Sequence, residues 1–168
     1  MRSGTGRDMH AIFAAFKSAN GSRGNTPFGI HSDTQKPIES DDFGTIFSGK
    51  PKTYIPKLNS GAVARATLYI LVCYKNCANP SYFPKETLPW LIHEATTTEV
   101  SVWEKHRNQE LYRLQGNRNP FIDYPELAKS IDFSEGWQKN WLSYLLYLSY
   151  FTSLYFYFFR KIKFIMFT

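Results

Sequence analysis

The sequence predicts an α+β domain in which helix outweighs strand, and three stretches carry that prediction. In residues 100–115, Val100, Trp103, Arg107, Leu111 and Leu114 recur near the 3.6-residue period, as one stripe of a helix burying Trp103 and the leucines. Residues 59–74 are almost continuously apolar. Val63, Ala66, Leu68, Tyr69, Ile70, Cys73 and Tyr74 predict a mostly buried helix, with Ser60 placed to cap it. Residues 30–57 are broken by Asp33, Lys36, Pro37, Asp41, Asp42, Gly44, Gly49, Pro51 and Pro56, so the apolar pieces at 45–47 and 53–55 predict brief strands or hairpins.

A chain of 168 residues fits one domain. The formal charge of +6 and the pI of 9.3 favour polyanionic partners. Cys73 and Cys77 sit four apart on a helical pattern, which does not present disulfide geometry, and no second Cys or His pair completes a zinc set. Both are expected to be buried small residues. Glu39, Asp41 and Asp42 match no cation-binding spacing and read as a solvated turn. Residues 1–9 hold no apolar run of the ~7–15 residues that a secretory signal needs.

Several elements are specified further. Glu104, Lys105, Gln109, Glu110 and Arg113 fill the opposite side of the helix over 100–115. Gly116 stands where a helix stop wants positive φ, and Pro120 is expected to keep helix from resuming. Between them, Gln115, Asn117, Arg118 and Asn119 concentrate polar groups at one helix end. Such a cluster either pins a loop through side-chain to backbone hydrogen bonds or grips a polar ligand. Arg65, inside an apolar run, needs a carboxylate or a phosphate. Residues 75–99, with three prolines, predict a loop, and Thr96, Thr97, Thr98 and Glu99 are expected to open the following helix. Asn20, before Gly-Ser, reads as a turn or cap residue, and Arg23 as a surface arginine.

Q-G-N-R-N-P-F-I-D at 115–123, with W-E-K-H-R-N at 103–108, strongly resembles the C-terminal signature of the bacterial endonuclease I family. Asp8, Met9 and His10, followed by Asn20, Arg23, Gly24, Asn25, Phe28 and Gly29, resemble the family's D-[LM]-H and N-x-x-R-G-N elements. Ala19 stands where Val is common. G-A-V-A-R-A at 61–66 resembles its R-G-x-[VI]-A-R helix, with Ser60 in place of the Arg. The resemblance covers roughly residues 7–133. It implies a helix-rich ββα-metal (His-Me finger) nuclease, secreted or periplasmic, hydrolysing DNA or RNA with little sequence preference. It implies a divalent cation, Mg²⁺ or Ca²⁺, with Asn20 as a metal ligand. Arg23, Arg65, Arg107, Asn117 and Arg118 become the candidate phosphate contacts.

The family's general base is a His in a Glu-His pair upstream of D-x-H, a position that would precede Met1. His93-Glu94 is reversed, so no catalytic residue is assigned in the chain. The expectation is a partial domain over residues 1–135 with impaired activity, or a catalytically inactive nucleic-acid binder. His10 is expected to be a structural His bonding backbone. Residues 136–168 resemble nothing in the family. From 141 to 159 no residue is charged, and Arg160, Lys161 and Lys163 follow. That stretch is near the ~20 residues of a membrane span. It predicts an apolar helix that anchors to a membrane or packs in a core, or else sequence not selected for this fold. No protein partner is inferred.

Overall fold

A computed structural model of the chain describes residues 8–30, 32, 34–74 and 78–137, all in one structural unit. The expected apolar helix at 141–159 and Cys77 lie outside the described residues. After a 3₁₀ turn at Met9–Ala11 come helix α1 (Lys17–Arg23) and strands β1 (Pro37–Ser40), β2 (Gly44–Phe47) and β3 (Thr53–Pro56). Helices α2 (Ser60–Cys73), α3 (Leu88–Thr97), α4 (Val102–Gln115) and α5 (Pro120–Asp123) follow, then two 3₁₀ turns. The α+β, helix-rich expectation is what the chain adopts.

The strands form an antiparallel meander, β1-β2-β3, with Ile46 opposite Tyr54 and Phe47 opposite Thr53. β1 is solvent-exposed throughout, burial starts at Gly44 of β2, and both Thr53 and Tyr54 of β3 are buried. The hydrophobic core lies elsewhere. α2 buries Ala64, Leu68, Tyr69 and Leu71 against Leu91 and Ala95 of α3, with Phe121 and Phe133 closing the far side. A helix apolar on every face must be central, and α2 is.

Several local expectations need correction. The stretch read as a loop contains α3, because Pro89 at its first turn is compatible with a helix start rather than a break. Pro120 likewise opens α5, with the Asn119 side chain accepting from Phe121 N. The threonines do not cap α4. Thr96 and Thr97 bond back to carbonyls of α3, and the cap is a Ser101–Glu104 capping box. Asn59, in the left-handed region, precedes α2, while Ser60 Oγ donates to Glu94 instead of capping. Cys73 is exposed, not buried.

The largest correction concerns α4. Its buried residues are Glu104, Asn108 and Leu111, while Trp103 and Leu114 face solvent. The predicted apolar stripe is therefore rotated outward. The physical cause is Arg65, which is fully buried on α2. Its Nε and Nη2 each reach a Glu104 carboxylate oxygen at 2.8 Å, and Nη1 donates to Ala95 O and Thr98 O. An unpaired buried guanidinium would cost far more than an exposed Trp, so α4 turns its acid inward. No described helix is long and apolar enough to cross a membrane.

Removing one partner of this pair leaves the other charge buried. Glu104→Leu is expected to lower unfolding stability by about 3–5 kcal/mol, read as a fall in the urea midpoint at unchanged slope. A loss comparable with that of a surface substitution would contradict the role assigned to the pair.

Candidate functional site

The D-M-H segment is an anchor. Asp8 is buried, and its carboxylate accepts from Tyr69 Oη at 2.6 Å, Tyr74 Oη at 2.7 Å, Gln115 Nε2 at 2.9 Å and His10 N at 2.9 Å. Burial alone would raise its pKa, but these donors outweigh burial and pull it down to about 2. The same interaction raises Tyr74 to about 12, after burial as the larger cause. His10 is as deeply buried. A carbonyl only accepts, so Nε2 donates to Asn117 O at 3.1 Å and Nδ1 is the bare nitrogen, without a partner among the described residues. Burial lowers the His10 pKa, keeping the ring neutral against Tyr69. This bears out a structural His bonding backbone.

The polar run after α4 is a pinned loop. Gly116, at φ 81°, lets the chain reverse. Asn117 Nδ2 donates to Tyr69 Oη at 2.6 Å. Arg118 forks onto Asp123 at 2.7 and 2.6 Å and reaches Gln109 at 2.7 Å. The Asn108 side chain holds the Asn119 backbone, its Nδ2 donating to Asn119 O and its Oδ1 accepting from Asn119 N, and Asn119 Nδ2 donates to Arg65 O.

α1 and the segment after it form a second constellation. Ser22 Oγ donates to Asp41, tying α1 to the β1–β2 turn. Gly24 N closes α1 on Asn20 O. Phe28 bridges to Tyr54, with Tyr54 N donating to Pro27 O and Gly29 N to Tyr54 O. Gly29 sits at φ 117°, and a Cβ there would lie 2.8 Å from Thr87 Cβ, so only Gly fits. Arg23 lies over the Phe28 ring, 4.2 Å from its centroid, with Nε donating to Thr26 O. Burial lowers the Arg23 pKa. Among the described residues no carboxylate pairs with it. Asn20, one helical turn before, is exposed and its side chain makes no hydrogen bond among the described residues.

The predicted site residues thus divide. Arg65 is a structural ion pair with every nitrogen engaged inside the core, which leaves no face for phosphate. Asn117 and Arg118 serve the loop, although Arg118 stays part-exposed. Arg107 does not pair with the loop after Gly116. Its Nη2 donates to Met9 O and Ile12 O, and its guanidinium lies over Phe13 at 4.6 Å and Trp103 at 5.8 Å. Asn20 and Arg23 share one short helix. Glu104, Tyr69 and Tyr74 were missed by sequence reasoning. S-V-W-E at 101–104 was a legible capping-box signal for Glu104. The tyrosines reach Asp8 across more than sixty positions, which no local pattern reveals. Among the described residues no cluster of three or more His, Cys, Asp or Glu could hold a metal ion, so Asn20 fits a cation only as one neutral donor.

The Endonuclease I family profile matches residues 2–126. An extracellular ribonuclease of Bacillus amyloliquefaciens is 30% identical over 141 residues, covering 76% of this chain and 47% of that protein. An extracellular ribonuclease of Bacillus subtilis is 30% identical over 151 residues, with the same coverage of 76% and 47%. The chain spans about half the length of these curated relatives. No solved structure matches it.

Asp8 has a folded pKa below its ordinary 3.8, so the stability it contributes is present above pH ~4 and lost as pH falls toward about 2. Wild-type unfolding free energy is expected to drop by about 2 kcal/mol across that window. Asp8→Asn should lose this component of the drop while being less stable at pH 7. Identical acid profiles for the two proteins would refute it.

Proposed function

Because the chain belongs to the endonuclease I family, we propose that it is a phosphodiester hydrolase acting on DNA or RNA with a divalent cation, Mg²⁺ foremost and Ca²⁺ as the other candidate. Arg23 carries this reading. Its guanidinium is half-buried, oriented by Phe28, short of a carboxylate among the described residues, and one helical turn from Asn20. A desolvated cation held this way gains most from an incoming phosphate. Positions three apart on a helix are neighbours, so Asn20 and Arg23 address one ligand.

Asn20 would give the cation one neutral oxygen, with water and substrate phosphate completing the shell, as hard cations allow. The bound cation would supply charge stabilisation at the phosphate. The chain's own residues hold the substrate: Arg23 grips a non-bridging oxygen, Phe28 fixes Arg23, and the Ser22–Asp41 bond steadies α1. Contact through phosphate rather than base edges makes the cleavage indifferent to sequence. Arg107, which has no carboxylate partner among the described residues, offers a further contact for the backbone.

The general base is assigned to none of the described residues, since His10 is neutral, buried and committed to Asn117. A general base typically contributes ~10²–10⁴-fold, so hydrolysis that proceeds without one is expected to be slow. The same observation favours a second reading, a nucleic-acid binder without hydrolysis. The relatives are named extracellular, and we extend a secreted location to this chain.

Purified chain is expected to nick supercoiled plasmid or cut RNA with Mg²⁺, to stop in EDTA, and to lose the activity in Asn20→Ala. Arg23→Ala should weaken substrate binding by about tenfold, the effect of one charge-assisted phosphate contact. Cleavage that survives EDTA overturns the cation. No cleavage, with salt-sensitive binding that EDTA leaves intact, establishes the second reading.

A further inference from the structure

We propose that the aromatic face where residues 12–16 meet the first turn of α4 is a stacking platform for unpaired bases, so that single-stranded nucleic acid is the preferred form of substrate. The proposal rests on the nucleic-acid reading above and deepens it. Phe16 is 81% exposed, Val102 83%, and Ile12 and Trp103 55% each. Large apolar side chains exposed on two joined segments of a basic domain mark an interaction surface. The two sides are joined, since Phe13 packs on Trp103 with centroids 6.4 Å apart. They are also bolted, because Arg107 on α4 donates to Met9 O and Ile12 O.

Charge decides the occupant. Arg107 lies over both rings and has no carboxylate partner among the described residues. Lys105 and His106 precede it, exposed on the same helix. A fixed guanidinium beside exposed aromatic side chains suits a polyanion that offers flat π-surfaces, which is a strand with its bases unstacked. Duplex buries those surfaces and would meet only the charge. A second copy of this chain would bring its own Arg107 against this one across a two-fold interface, a like-charge cost that nucleic acid does not carry.

The test uses the full chain in EDTA, where cleavage cannot intervene, and fluorescence anisotropy of a labelled oligothymidylate and a duplex, each of roughly 20 units. Wild type is expected to bind the single strand more tightly. Trp103→Ala and Phe16→Ala should each weaken single-strand binding about 5- to 100-fold while changing duplex binding by less than about twofold. Trp103→Phe should restore most of it. Both side chains are exposed, so an unchanged thermal midpoint is expected to show that the variants fold. Equal losses on both forms, or no loss on either, overturn the platform. So does a concentration-dependent dimer that Phe16→Ala dissolves, which would give the face to a second copy. Mg²⁺-dependent nicking alongside wild-type-like binding by both variants defeats the platform and leaves the nuclease reading standing. Absence of nicking and of binding to either form defeats both.

Discussion

The fold is organised by one buried charge. Arg65 sits at zero exposure on the most apolar of the described helices, and everything around it is arranged to neutralise it. Glu104 supplies the counter-charge from α4, and the last turn of α3 contributes the carbonyls of Ala95 and Thr98. Asn119 takes the carbonyl of Arg65 itself and so fixes the loop that enters α5. Three helices are thereby registered by a single guanidinium, and the backbone carbonyl of the same residue holds the entry to the fourth. A pair of this kind is weak evidence for net stability over an apolar isostere, but breaking one side is costly, and that asymmetry locks the geometry.

A second hub, Asp8, does for the N-terminal segment what Arg65 does for the core. Its carboxylate collects donors from two tyrosines of the α2 region and from the end of α4. The consequence for function is that the most distinctive letters of the chain, D-M-H and Q-G-N-R-N-P, are engaged with each other. They build the scaffold. What remains available for a ligand is at the periphery: Asn20 and Arg23 on α1, and Arg107 with its aromatic neighbours.

That division changes how a signature should be read. Asn117 and Arg118 stand in the strongest motif yet spend their hydrogen bonds on Tyr69, Gln109 and Asp123. Arg23, in a weaker motif, has no carboxylate partner among the described residues and still bears the cost of burial. Polar residues clustered at a helix end are as good at satisfying a loop's backbone as at binding phosphate, and their order along the chain does not distinguish the two uses.

The sequence by itself determined the α+β class, the helix over 59–74, the stop at Gly116 and the family, because periodicity, the positive φ of glycine and a long polar motif are local properties. It also identified His10 as structural. Tertiary structure alone decided which side of α4 faces inward, where Asp8 finds its donors, and that Arg65 belongs to Glu104. Hydrophobic spacing proposed burying Trp103, but the need to pair a charge contributed from 39 residues away outweighed it. Local pattern records which faces a helix offers, whereas the partner that must be satisfied is set by parts of the chain that meet only on folding.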